Sequence, residues 1–159
     1  MKRKIHVEIF ESHAKVNFYT IRFDGEESSE FDKFYDKFNE VVEFNNSLDV
    51  IVNWIDKIGE NGALERYFRP EGGKLKALPV ELSKLRLYCF YVAEDIILLG
   101  NGGSKKTKTY NEDPLLNDYA ETLREVGTHL LTRIKKEQVT VYNKTLYHNL
   151  TFTINGQHA

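Results

Sequence analysis

Arg86 and Tyr88 alternate along Leu85-Arg-Leu-Tyr-Cys-Phe-Tyr-Val92, so they share one face of a strand. A cation beside a phenol suits RNA. The guanidinium pairs with phosphate, and the phenol stacks a base or offers its hydroxyl. The competing reading is a sheet face covered by the α-hairpin, with Arg86 salt-bridged at its edge. Downstream, Gly100-Asn-Gly-Gly-Ser-Lys-Lys-Thr-Lys-Thr-Tyr110 reads as a glycine-rich basic loop. Its glycines can turn backbone N–H groups toward a phosphate as a nest, or the segment is simply a solvated loop. It is not a nucleotide-binding P-loop, because Lys105 stands where that pattern needs glycine before Lys-Ser/Thr.

Other side chains offer less. His6, His13, His129, His148 and His158 show no metal-ligand spacing, and no metal or cofactor is expected. Cys89 sits inside the strongest strand and reads as a buried, inert thiol. A lone cysteine makes no internal disulfide, and the basic start Lys2-Arg-Lys4 lacks a following apolar run. Both point to the cytoplasm. The net charge of −2 hides an asymmetry: residues 63–111 carry 9 Lys/Arg against 5 Asp/Glu, while residues 1–62 carry 8 against 13. A polyanion would therefore meet the middle of the chain, if folding gathers its cations onto one face.

The elements that must hold these residues follow from periodicity. Ile5 to Glu11 and Val16 to Asp24 alternate as a strand pair joined by a short turn. Ser28 or Ser29 caps a helix carrying Phe31, Phe34, Tyr35, Phe38, Val41 and Val42. Ser47 caps a second helix carrying Leu48, Val50, Ile51, Trp54, Ile55 and Ile58 on its inner face, which makes an α-hairpin. After a broad turn over Tyr67 to Gly73 come three strands, over Leu75–Val80, Leu85–Val92 and Ile96–Gly100. A long helix opens at Asn111–Pro114, and strand-like pieces end the chain over Val139–Tyr142 and Leu150–Ile154. The expectation is one α+β domain over residues 1–159 with a mainly antiparallel sheet packed on an α-hairpin and an extra C-terminal helix. Residues 139–159 are expected to cover the sheet edge left by the last strand.

Tyr67-Phe68-Arg69, Leu75-Lys-Ala-Leu-Pro-Val80, Lys84-Leu-Arg-Leu-Tyr88, Ile96-Ile-Leu-Leu-Gly100 and Ser104-Lys-Lys-Thr-Lys-Thr109 together resemble the RelE/ParE superfamily of type II toxins. They come nearest its HigB-like, phage-related branch. Asn101-Gly-Gly replaces the family's shorter glycine–aromatic link, and Tyr110 stands where proline is usual. The resemblance implies a toxin component of a toxin–antitoxin system: a ribosome-associated, metal-independent mRNA endoribonuclease. Its implied partners are a cognate antitoxin protein, mRNA and the ribosome. It carries catalytic roles to Arg86, Lys105 and Lys106, and RNA contacts to Arg66, Arg69, Lys76, Tyr88, Lys108 and Tyr110. The alternative is a non-catalytic RNA- or protein-binding module on the same scaffold.

Overall fold

A computed structural model of the chain describes residues 2–79, 84–104 and 110–155. Strands β1 (Arg3–Ser12) and β2 (Asn17–Phe23) form the expected antiparallel pair, with Val7 opposite Ile21. Helix α1 (Glu30–Asn39) starts at Ser29, whose hydroxyl accepts from the Asp32 N–H at 3.1 Å. It buries Phe31, Phe34 and Phe38. It stops short of Val42, which is 84% exposed. Helix α2 (Asn45–Asn61) begins earlier than expected. Ser47 lies buried in its first turn, and Phe44 holds the N-cap position without a capping side chain.

A short turn of 3-10 helix (Glu65–Tyr67) leads into β3 (Arg69–Pro70), β4 (Leu75–Pro79), β5 (Leu85–Ala93) and β6 (Ile96–Ser104). Helix α3 (Pro114–Lys135) follows, then β7 (Thr140–Tyr142), β8 (Thr145–Tyr147) and β9 (Thr151–Ile154). The main sheet runs β3-β4-β5-β6-β2-β1-β9, with β2 and β6 parallel and the other described pairs antiparallel. The class is α+β.

Both sheet faces are covered. Leu85, Leu87, Cys89, Ile97 and Leu99 face α1 and α2, while Tyr88, Phe90, Val92, Ile96 and Leu98 face α3. A strand buried on two sides needs a near-continuous apolar run, which is what Ile96-Ile-Leu-Leu99 supplies.

Two expectations are corrected here. The glycine-rich segment is not a loop from its start, because Gly100 to Ser104 complete β6. Glycine is required there by close approach. A Cβ on Gly102 would lie 1.9 Å from the Arg86 carbonyl oxygen, and one on Gly103 would lie 2.8 Å from Leu116 Cδ2. The register shifts by one between Leu87–Gly102 and Cys89–Leu99, so Gly100 and Asn101 bulge opposite Tyr88. The C-terminal strand also covers a different edge. β9 pairs with β1, placing Ile154 opposite Arg3, while β6 is closed by β2. The β7–β8 hairpin turns through Asn143 and Lys144, both at positive φ as a two-residue turn demands. No helix among the described residues is long and apolar enough to cross a membrane.

Gly102→Ala is expected to destabilise the fold by about 1–3 kcal/mol, since the added methyl meets backbone that cannot swing aside. Urea unfolding followed by far-UV circular dichroism measures this. An unchanged midpoint would refute the close approach.

Candidate functional site

Arg86 and Tyr88 do share a face, and it is the one under α3, not the one under the α-hairpin, which packs on Leu85, Leu87 and Cys89 instead. Across the strands Arg69 lies opposite Ala77, and Ala77 opposite Tyr88, so the register carries Arg69 onto that face. The Arg86 guanidinium is half-buried and donates from Nη1 to the Leu85 carbonyl at 2.8 Å. Burial lowers its pKa, and the like charge of Arg69 adds to the effect; Glu71 and Tyr88 oppose it. Arg69 Nε lies 3.7 Å from Glu71 Oε1.

Tyr88 is fully buried, so its ring presents no face on which a base could stack. The ring packs 5.8 Å from that of Tyr110. Its hydroxyl has no hydrogen-bond partner among the described residues. Burial, and then the charge of Glu71, push its pKa up.

Tyr110 returns the chain to this face, and α3 supplies two residues that the sequence reading missed. Tyr110 Oη donates to Glu121 Oε2 at 2.5 Å. Arg124 donates from Nε to Glu121 Oε1 at 3.0 Å and from Nη2 to Tyr110 Oη at 3.1 Å. The same guanidinium donates to the carbonyls of Gly72 (2.9 Å) and Glu71 (3.1 Å), which ties α3 to the β3–β4 turn. Burial raises the Tyr110 pKa and the Glu121 carboxylate raises it further, so the phenol stays protonated at neutral pH. Burial would lower the pKa of Arg124, but its bonds to Tyr110 and Glu121 outweigh that and raise it. The signal for this pair was legible as Glu121 and Arg124 three residues apart on a helix. Nothing in the sequence pointed the pair at Tyr110.

The other candidates lie elsewhere. Arg66 is exposed, its guanidinium 5.2 Å from the Tyr67 ring centroid. Lys76 pairs with Cys89 on the α1–α2 side and reaches Glu65 Oε2 at 3.6 Å. Lys105, Lys106 and Lys108 lie outside the described residues. Cys89 is fully buried, and burial pushes its thiol pKa up, as an inert thiol requires.

At the carboxyl end of β6 a groove of about 690 Å³ opens between α1 and α3. Phe38, Phe44, Leu115 and Leu116 give it apolar walls, and Lys37 and Lys84 give it cations. Ser104, the last described residue before Lys105, lines it too.

No family model, curated protein or solved structure matches this chain.

Arg124→Ala should cost about 1–3 kcal/mol of stability, because it leaves the buried Tyr110–Glu121 pair and two turn carbonyls without their donor. Arg124→Lys should recover only part, since an ammonium lacks the fork that reaches both sides. Denaturant midpoints of the three proteins decide this. Equal midpoints would show that the network carries no stability.

Proposed function

We propose that this chain is a toxin-type endoribonuclease of a toxin–antitoxin pair, acting on mRNA at the ribosome. The observation that carries the reading is the gathering of Arg69, Arg86 and Arg124 with Tyr110 and two glutamates at one end of the sheet. Arg86 is held beside a like charge in a partly buried setting, which makes its cationic form costly. A phosphate oxyanion bound there would relieve that cost.

In the proposed reaction a ribose 2′-oxygen attacks the adjacent phosphorus and expels the 5′-oxygen, leaving a cyclic phosphate. Arg86 and Arg69 stabilise charge on the crowded phosphorane. Tyr110, kept protonated by burial and Glu121, is the candidate acid for the leaving oxygen. Lys105 and Lys106 keep the cationic roles the resemblance implies, and Lys108 contacts the RNA backbone. The 2′-hydroxyl proton passes to solvent water, and no residue is assigned as the base. Lys76 lies on the other face of the sheet from the arginine cluster, and Arg66 keeps the RNA contact that the resemblance implies.

A second reading has its own observation. The groove beside β6 combines apolar walls with two lysines and the carboxylates of Glu43 and Asp113, which suits an amphipathic segment of mixed charge from a partner protein. Under the first reading that partner is the antitoxin. Under the second, binding is the whole function.

Induced expression of the wild type, beside Arg86→Ala and Arg69→Ala variants checked for folding, separates the two. The ribonuclease reading expects growth arrest and RNA cleavage in EDTA, with activity at least about tenfold lower in each variant. A folded, soluble wild type that neither slows growth nor cuts RNA would leave only the binding module.

A further inference from the structure

At the opposite end of β6 lies a cluster that the proposed ribonuclease chemistry does not use. We infer that Glu11, His13 and Asp56 bind a divalent transition-metal ion, with Glu60 orienting the imidazole from behind. One ligand atom from each of Glu11, His13 and Asp56 lies within 4.8 Å of the others. His13 Nε2 is 2.7 Å from Glu11 Oε1, and its Nδ1 is 3.6 Å from Glu60 Oε1. One ring nitrogen thus faces the ligand cluster while the other faces a separate carboxylate. Metal-bound histidines are arranged this way, because the outer carboxylate fixes ring orientation and raises ligand basicity.

The imidazole is held rigidly. Its side chain is 13% exposed and its ring meets Phe18 edge-on, with centroids 5.6 Å apart. Gly59 of α2 makes room for it: a Cβ there would lie 2.3 Å from His13 Cγ. The Lys15 N–H donates to the Gly59 carbonyl at 2.8 Å, which pins the β1–β2 turn to the helix. Asp56 and Glu60 are one helical turn apart on α2, on either side of that glycine.

Charge favours a cation. Three carboxylates surround one imidazole, so even an imidazolium leaves negative charge in excess. Of the neighbouring lysines, Lys57 is held over aromatic rings, while Lys144 sits beside the cluster and offsets one of its negative charges. Lys57 Nζ sits 4.9 Å from the Trp54 ring centroid and 5.1 Å from that of Tyr67, and Lys144 Nζ donates to the carbonyls of His13 and Ala14. One nitrogen with two or more carboxylate oxygens is a donor set for Zn²⁺ or Mn²⁺. Bonds of about 2.0–2.2 Å require the Glu11 and Asp56 carboxylates to swing in. Both side chains are exposed and free of core packing. The site would clamp the first hairpin to α2. It stands or falls independently of any ribonuclease activity.

Calorimetric titration of the full chain with MnCl₂ and with ZnCl₂ tests this, supported by the electron paramagnetic resonance of Mn²⁺. The expected result is one saturable equivalent, weakened at least about tenfold in His13→Gln and Asp56→Asn, with Glu60→Gln also weakened. Circular dichroism checks each variant. Asp56 is exposed, so Asp56→Asn decides the matter if His13→Gln fails to fold. Absence of binding at millimolar metal, or binding unchanged in the folded variants, would overturn the proposal.

Discussion

The close meshing of α3 with the β5–β6 pair is the constraint on which the rest of this structure depends. Gly127 of α3 lies against Phe90, where a Cβ would fall 2.4 Å from the ring. Gly100 lies under Leu123 and Gly103 under Leu116, where a Cβ would press on the leucine methyls at 2.9 and 2.8 Å. Glycines on both partners let the helix settle at packing distance, and interiors packed to that density do not absorb an extra methyl without strain. Because α3 sits this close, Tyr88 becomes part of an interior wall while Arg86 stays half-buried at its edge. Arg124 then reaches over the sheet to the β3–β4 turn, and Tyr110 folds back on Tyr88.

Folding also sorts charge. The acidic first part of the chain supplies Glu11, Asp56 and Glu60 at one end of β6, where Asn17 pairs with Ile96. The basic middle supplies Arg69 and Arg86 at the other, where Arg86 pairs with Gly103. A near-neutral protein thus gathers carboxylates around His13 at one end of β6 and arginines, with Glu71 and Glu121, at the other.

Much of the fold was legible because its signals are local. Period-two alternation marked β1, β2 and β5, and correctly divided Leu85, Leu87 and Cys89 from Tyr88, Phe90 and Val92. Helical spacing found all three helices, although α1 ends before Val42 because the chain turns there. The failures are long-range. Gly102 and Gly103 read as punctuation because what crowds them lies on other elements, the Arg86 backbone of β5 for Gly102 and Leu116 of α3 for Gly103. The covering of Tyr88 depended on where α3 docks, which no local pattern states. Glu121 and Arg124 drew no notice in the sequence, because only folding brings Tyr110 to them. Glu11, His13 and Asp56 are separated by too much chain for any spacing rule to link them.

The most direct measurement of the central claim is the salt dependence of single-stranded RNA binding, read by fluorescence anisotropy. Wild-type affinity should fall linearly with the logarithm of salt concentration, and each arginine removed at residue 69 or 86 should reduce the slope by about 0.7. Slopes that stay the same while both variants remain folded would contradict an arginine-lined phosphate site.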